Sequence, residues 1–376
     1  MQKFLIDEVK VNELFLNLLS AAILNNPVDA DMFEGIEATT WKRIEGIARK
    51  QSVNALIADK ALSLPEKSLP PRDLRMLLLS QIEQTKALNC KMTNVLLQLK
   101  LDYSKENYSF VLLKGLSNGA NYPAPLLRNP GDIDLLIYKK GEYEKSINWI
   151  KSKGIQVKIG DPINYSFIFE GVSIENHRRI TFFDNKKYDN LFQKWERELF
   201  EKENFIFTEI GGQKINQLPV VMNALFIFQH MFRHFAHMGV GFRQYCDWIL
   251  FLSKYHKYID YDLFTSIAKT YALLYPMQVF ARAAVEYLHV QESIFPFKMI
   301  AVDKYSHLVI EDIFNGGNFG YHRQGDKRPE EKIKGMWYSF VSTIRRSNKF
   351  GPLSPQHIRI LPIVKVVNRL KIWFFK

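Results

Sequence analysis

Two aspartates separated by a single residue are the most informative feature of this chain. Asp132 and Asp134 lie in the segment Gly131-Asp132-Ile133-Asp134 and open the apolar run Leu135-Leu136-Ile137. Side chains two residues apart on a strand point to the same face, and buried carboxylates of like charge are costly. A divalent cation between them would balance both charges. The pair therefore predicts metal-assisted chemistry, with a phosphate group as the leading candidate for its substrate.

A third acid lies further along the chain, in a segment that also has the pattern of a strand. Glu175 alternates with Val172 and Ile174 in residues 171–177, and His177 shares its face. If this strand lies beside the strand of Asp134, the three carboxylates converge. Mg²⁺ suits such a cluster, with Mn²⁺ as an alternative, because it binds a few carboxylates and completes its shell with water and phosphate oxygens. Two such ions about 3.5–4 Å apart could be bridged by the cluster.

The residues before the aspartate pair offer groups for binding phosphate. Lys114 and Gly115 follow the short apolar run 110–113, and Ser117 lies where a helix can begin. Backbone N–H groups at such a helix start can bind phosphate, and the missing Cβ of Gly115 lets a phosphate approach. Arg128 adds a planar guanidinium and Lys114 a point charge. An ordinary cation at a strand end and a helix cap are the alternatives for Lys114 and Ser117.

Several of these segments resemble the bacterial uncharacterised nucleotidyltransferase family, which belongs to the DNA-polymerase-β-like nucleotidyltransferase superfamily. The resemblance covers roughly residues 40–300 and is most specific within 113–136. It is carried by Leu113-Lys114-Gly115, Tyr122-Pro123, Pro125, Arg128, Gly131-Asp132-Ile133-Asp134-Leu135-Leu136, Glu175-Asn176-His177, His230, His234 and the stretch from Arg243 to Asp247-Trp248. One departure is Gly115-Leu116-Ser117, where the superfamily usually has Gly-Ser or Gly-Gly.

The resemblance implies transfer of a nucleoside monophosphate from an NTP to a hydroxyl of an acceptor, with release of pyrophosphate. It implies that Asp132, Asp134 and Glu175 are catalytic and hold Mg²⁺, and that Lys114, Gly115, Ser117 and Arg128 bind the nucleotide. The acceptor is open among protein, RNA, sugar and small molecule. The alternative is a non-catalytic nucleotide-binding module that a basic tail anchors to a membrane or a partner.

Three histidines repeat at helical spacing in the second half of the chain. His230, His234 and His237 fall at i, i+4 and i+7, a spacing that could chelate zinc. No glutamate completes a zinc-protease motif there, so we favour His230 and His234 as packed or hydrogen-bonded histidines that line a cleft opposite the acids. His177 is a further candidate for the cleft lining. Arg243 and Asp247, four residues apart, are predicted to form a helical ion pair, with a role in the cleft as the alternative.

The pattern of apolar residues predicts an α+β fold in which a small α/β unit is flanked by N-terminal and C-terminal helical segments. The resemblance implies that this unit is a small mixed-sheet nucleotidyltransferase core. Residues 1–108 read as helices, with helical spacing over 41–62 and again over 74–101. Strands and one helix then predict an α/β core over 109–210. A helical domain over 211–300 would close the cleft, and 301–376 form a C-terminal region.

Composition limits the classes of protein that remain. The 376 residues are 47% hydrophobic, which excludes a disordered chain, and two isolated cysteines favour a reducing cytoplasm. The acids at Asp7 and Glu8 argue against a signal peptide, and the chain has no apolar run long enough for a spanning helix. We therefore expect a cytoplasmic protein, with a peripheral position at the inner membrane surface as an extension of that expectation.

The basic character of the chain belongs to its C-terminal end. Residues 332–376 hold ten lysines and arginines and no acid, which leaves only +2 of the net charge of +12 for the rest. Within 356–376, one helical face is apolar, with Ile363, Val366, Val367, Leu370 and Phe374. The segment predicts a helix packed on the protein body, with docking on an anionic membrane surface as the second interpretation and nucleic-acid binding as the third.

Overall fold

The N-terminal part of the protein is helical. The structure is a computed structural model and describes residues 2–160, 163–320 and 331–374. Its first helices are α1 (Gln2–Leu24), α2 (Ala38–Lys50), α3 (Asn54–Leu62) and α4 (Arg72–Lys105). The helical spacing over 41–62 predicts one continuous stretch, but the helix breaks at Gln51. The Gln51 amide is buried there, donating to the Ile313 carbonyl and accepting from the Phe242 N–H, while Ser52 adopts a φ of 55°.

A five-stranded mixed sheet follows. Its strands are β1 (Phe110–Leu112), β2 (Ile133–Ile137), β3 (Lys158–Ile159), β4 (Asn164–Phe169) and β5 (Val172–His177), in the spatial order β1-β2-β5-β4-β3. β2 and β5 run parallel, and the other neighbours are antiparallel. The short helix α5 (Leu116–Gly119) lies between β1 and β2 in the chain, and α6 (Glu142–Ser152) lies between β2 and β3.

Strand β2 lies at the centre of this core and is buried along its whole length. Ile133, Leu135 and Ile137 belong to one hydrophobic cluster and Leu136 to another, because alternate side chains point to opposite faces of the sheet. Asp134 shares the face of Leu136. An acid in such a strand must be compensated by neighbouring groups.

The rest of the chain is mostly helical. After β5 come α7 (Lys186–Lys202), the hairpin of β6 (Ile206–Ile210) and β7 (Gln213–Gln217), α8 (Val220–His237), α9 (Phe242–Tyr255), α10 (Tyr261–Thr270), α11 (Leu274–Leu288), α12 (Lys304–Gly316), α13 (Lys332–Phe350), α14 (Pro355–Ile358) and α15 (Leu361–Phe374). The predicted boundary at residue 210 falls inside the β6–β7 hairpin. This hairpin turns at Gly211-Gly212, both with positive φ, as tight hairpin turns require.

The architecture confirms the predicted fold class, a small mixed sheet flanked by helical segments on both sides in sequence. None of the described helices has a stretch long and apolar enough to cross a bilayer. Cys90 and Cys246 are both free thiols.

Candidate active site

A cavity of about 290 Å³ lies between the sheet and helices α8 and α9. One wall comes from β2, β5 and the loops after β1, and the other comes from the two helices. Most of the lining residues are polar, and aliphatic and aromatic side chains complete the lining. The charged and imidazole members are Lys114, Arg128, Asp132, Asp134, Glu175, His177, His230, Arg233, His234, Arg243 and Asp247.

The acids meet because of the register between two strands that are distant in sequence. β2 and β5 pair in parallel with Asp134 opposite Glu175, which places both side chains on the same face. His177 follows two residues later on that face. One ligand atom from each of Asp134, Glu175 and His177 lies within 4.8 Å of the others, a group compact enough for one metal ion.

Asp134 is the most deeply buried acid of the cavity, with 1% of its surface exposed. Its Oδ1 lies 2.8 Å from Lys114 Nζ and 2.9 Å from His177 Nε2. Burial alone would raise the pKa of this carboxyl, but Lys114 and His177 hold it well below its usual range. Asp134 is therefore a carboxylate at neutral pH.

Asp132 immediately precedes β2, whereas Asp134 lies within it. The prediction that both aspartates point to the same face of one strand therefore applies to Asp134 alone. Asp132 lines the cavity but stands outside the compact group of ligand atoms. The negative charge of Asp134, and then burial, raise its pKa to about 6. Glu175 accepts a hydrogen bond of 2.9 Å from the Asn164 amide and lies 3.5 Å from His177 Nε2.

Gly115 is required by the backbone. Its φ is +61°, and a Cβ at this position would come within 2.7 Å of the Asp132 carbonyl oxygen. The sequence interpretation assigned its missing Cβ to the approach of phosphate. The structure gives a different reason, because the Asp132 main chain occupies that space. Gly115 therefore fixes the loop after β1 against the residue that leads into β2.

Ser117 is predicted to cap a helix or contact the nucleotide, and the structure places it elsewhere. It lies inside α5 and is 1% exposed, with its hydroxyl accepting a hydrogen bond from the Gln217 amide of β7. Among the described residues, the cavity lining includes Asn118 but not Ser117. The hydroxyl of Ser117 thus joins α5 to the β6–β7 hairpin.

Arg128 forms the most completely paired charge of the cavity. Its Nε and Nη2 donate to the two oxygens of Asp247, each at 2.7 Å, and both side chains are more than nine-tenths buried. Tyr122 donates to the same carboxylate at 2.8 Å, and Asn118 donates at 3.3 Å. The predicted Arg243–Asp247 pair is therefore wrong, because Arg128 reaches Asp247 in its place. The nucleotide contact predicted for Arg128 stays a prediction: Asp247 engages its Nε and Nη2, and Nη1 donates to the Asn129 carbonyl at 3.4 Å.

Arg243 is the least compensated cation of the cavity. It forms no ion pair with an acid in the described parts of the chain, and Nη1 donates to the carbonyls of Asn129 and Pro130 at 3.3 and 3.1 Å. Its Nε has no partner. Burial and the neighbouring Arg128 lower its pKa. A buried guanidinium with only carbonyl partners is typical of a site that receives an anion.

The histidines of α8 separate into two environments. His230 and His234 line the cavity with ring centroids 4.6 Å apart. Burial and the charge of Lys114 lower the pKa of His230 well below its usual range and that of His234 to about 3, so both are neutral at pH 7. His237 Nε2 instead lies 2.9 Å from Asp184 Oδ2. Within the described ranges, the three do not form a metal-ligand group.

Sequence reasoning missed several side chains of the cavity, among them Arg233 and Asn164. Arg233 lies on α8 between the two cavity histidines, stacks on Phe182 with its guanidinium carbon 3.8 Å from the ring centroid, and approaches Asp184 at 3.5 Å. Its position three residues after His230 is the signal that could have found it. Asn164 faces His177 across β4 and β5, and only the strand register reveals that contact.

The uncharacterised nucleotidyltransferase family matches residues 37–289, more than half of the chain. The protein belongs to this family, and its class is therefore that of the nucleotidyltransferases. No curated protein matches the sequence. Among solved structures, the chain is similar to an antigenic nucleotidyltransferase-like protein from Paracoccidioides brasiliensis. The two are 12% identical over 54% of this chain and 93% of the other, with a TM-score of 0.31.

Proposed function

We propose that the protein transfers a nucleoside monophosphate from an NTP to a hydroxyl of an acceptor and releases pyrophosphate, in a reaction that depends on Mg²⁺ or Mn²⁺. The observation that carries the proposal is the alignment of Asp134 with Glu175 across β2 and β5, inside a cavity that also holds Lys114 and Arg243. Family membership supports the class of reaction.

The donor atoms at this position fit a hard divalent cation. Asp134, Glu175 and Asp132 offer carboxylate oxygens, the ligands that Mg²⁺ and Mn²⁺ prefer, and His177 offers a nitrogen within the compact group. The raised pKa of Asp132 reflects like charges that an ion would compensate. We propose that these three acids hold the ion, which when bound would neutralise charge on the triphosphate and polarise the α-phosphate.

The remaining polar groups have separable roles in the proposed reaction. Lys114 and Arg243 bind the phosphates from the two walls of the cavity. The acceptor oxygen attacks the α-phosphorus, the bond between the α-phosphorus and the bridging oxygen breaks, and pyrophosphate leaves with the electron pair. We assign the proton of the hydroxyl to a carboxylate oxygen of Asp132, which lines the cavity just before β2. Arg128 and Asp247 hold the loop before β2 in place.

A labelling experiment tests this proposal. The protein is incubated with Mg²⁺, each α-³²P-labelled NTP and cell extract, and the labelled product is treated with protease or ribonuclease to identify the acceptor class. We expect label transfer by the wild type, loss of transfer with EDTA or in Asp134→Asn, and retention in Glu209→Gln. Glu209 is an exposed acid on the β6–β7 hairpin and serves as the matched control.

Two outcomes would contradict the proposal. Transfer that persists in a double variant carrying Asp134→Asn and Glu175→Gln would remove the acid cluster from the reaction. NTP binding by calorimetry, without transfer to any fraction of the extract, would favour a nucleotide-binding module instead.

The free thiols of Cys90 and Cys246 support our placing the reaction in a reducing cytoplasm.

A further inference from the structure

The last described helix presents apolar side chains to solvent. On α15, Ile363 is 66% exposed, Leu370 48%, Val366 43% and Val367 42%. We name these four residues the apolar stripe. Apolar side chains are scattered singly on most surfaces, but four on one face of one helix form a continuous patch, and such patches mark interaction sites.

The opposite side of α15 is the side that contacts the protein. Lys365 Nζ donates to the Ser339 hydroxyl at 2.7 Å, the Ser339 carbonyl at 2.8 Å and the Thr343 hydroxyl at 2.7 Å, all on α13. Successive residues of an α-helix are rotated by about 100°, so the stripe lies on the face away from Lys365. The helix is therefore anchored by a lysine, and its apolar face points outward.

The surroundings of the stripe are strongly basic. Residues 332–376 carry ten lysines and arginines and no acid, and three of these cations, Lys334, Arg346 and Lys349, pair with acids outside the range. Arg345, Arg359 and Arg369 are exposed. Because the remainder of the chain is near neutral, the positive potential is concentrated at this end of the molecule.

The exposed apolar stripe and the basic residues around it together favour one kind of partner. A second copy of the chain would place one acid-free, basic segment against another, which like-charge repulsion opposes. A nucleic acid would satisfy the cations but not the apolar stripe. An anionic lipid surface satisfies both, because headgroups attract arginine and lysine while the interfacial region accepts apolar side chains.

We propose that α15 docks on an anionic bilayer, with the apolar stripe buried at the headgroup boundary and the flanking cations on the lipid phosphates. One short helix gives reversible, peripheral attachment, since it buries few side chains. This inference is independent of the proposed reaction.

Vesicle co-sedimentation of the full chain tests the docking surface. The vesicles contain phosphatidylglycerol in phosphatidylcholine, or phosphatidylcholine alone. We expect binding only to the anionic vesicles, with an affinity that falls as salt is added. A double variant with Ile363→Ser and Leu370→Ser is expected to bind at least about tenfold more weakly, because it removes apolar surface that the bilayer would bury.

The matched control is a double variant with Met76→Ser and Leu79→Ser. These side chains are 70% and 47% exposed on α4, and the control is expected to bind as the wild type does. Equal binding to neutral vesicles, or unchanged binding of the stripe variant, would overturn the proposal. So would a stripe-dependent dimer in light scattering, or stripe-dependent binding to polyuridylate without binding to vesicles.

Discussion

Two groups of buried charges line the same cavity, and they are balanced in different ways. Arg128 and Asp247 form a neutral pair in which both carboxylate oxygens accept from the guanidinium, with Tyr122 and Asn118 adding hydrogen bonds. The acid cluster, which consists of Asp132, Asp134 and Glu175, has Lys114 and the imidazole of His177 against it. The first group is complete within the chain, whereas the second has excess negative charge.

The difference separates a structural element from a binding site. A buried pair with good geometry costs little as long as both partners remain, and it fixes the loop that carries Arg128 to α9. Excess like charge is a cost that folding alone does not offset, and it is visible in the raised pKa of Asp132. We infer that the acid cluster is kept for a positively charged ligand.

The largest expected effect is on activity. Asp134→Asn should lower nucleotidyl transfer by roughly 10³-fold, because it removes the central ligand of the proposed metal site. The melting temperature should fall less than for a change at Asp247, because Lys114 keeps Asp132 and Glu175 as neighbouring acids when Asp134 becomes neutral. Label transfer and thermal unfolding measure the two effects. A variant with near-normal transfer would show that the acid cluster is not used.

Removing one partner of the Arg128–Asp247 pair should affect stability. Asp247→Asn or Arg128→Met is expected to lower the free energy of unfolding by about 3–5 kcal/mol, since each leaves a buried charge without its partner. Changing both should cost less than the sum of the two. Urea unfolding measures these values. Glu83→Gln, which removes the exposed pair of Glu83 with Lys86, is the control and should cost at most about 0.5 kcal/mol.

Asp132→Asn should stabilise the metal-free protein, whereas changes at the Arg128–Asp247 pair should destabilise it. The pKa of Asp132 is about 6 when folded and 3.8 in a model compound, so the folded state binds more protons between these values. Wild-type stability therefore falls as the pH rises through this window, by about 1–3 kcal/mol in total.

The Asp132→Asn variant should lack this loss of stability. In EDTA it should be more stable than the wild type at pH 7.5 and nearly equal to it close to pH 3.8. Thermal unfolding across this range measures the difference. A variant that is less stable than the wild type at pH 7.5 would remove the argument for excess negative charge.

Arg243→Gln should raise the KM for NTP by about tenfold and change kcat less, because it removes a phosphate-binding cation and leaves the acids intact. Its stability should be unchanged or higher, since burial lowers the pKa of Arg243. Steady-state kinetics with Arg49→Gln as an exposed control measure this. An unchanged KM would show that Arg243 on α9 does not bind the triphosphate.

Local patterns predicted most of the elements that carry the site. The apolar run Leu135-Leu136-Ile137 predicted β2, and the spacing of His230 and His234 predicted that both lie on one face of a helix. Asp134 and Glu175 are 41 positions apart, and the sequence predicts that they meet only if their two strands are neighbours in the sheet. Local patterns do not decide this, because strand register depends on long-range packing.

The errors have the same physical origin. A rule for neighbouring helix positions predicted the pair of Arg243 with Asp247, but Arg128, 119 residues away, occupies that carboxylate. The break at Gln51 follows from its bonds to Phe242 and Ile313, which no local pattern contains. The sequence predicts that the last helix packs on the protein body, and α15 does contact α13, but through Lys365, while Ile363 and Leu370 are exposed.

Crystals soaked with Mn²⁺ and a non-hydrolysable NTP analogue test the central claim most directly. Anomalous scattering locates the ion, and difference density locates the phosphates. The account predicts an ion bound by Asp134 and Glu175, with the triphosphate near Lys114 and Arg243 and the Arg128–Asp247 pair intact. An ion or triphosphate bound elsewhere, or a triphosphate held by Arg128 after its separation from Asp247, would contradict it.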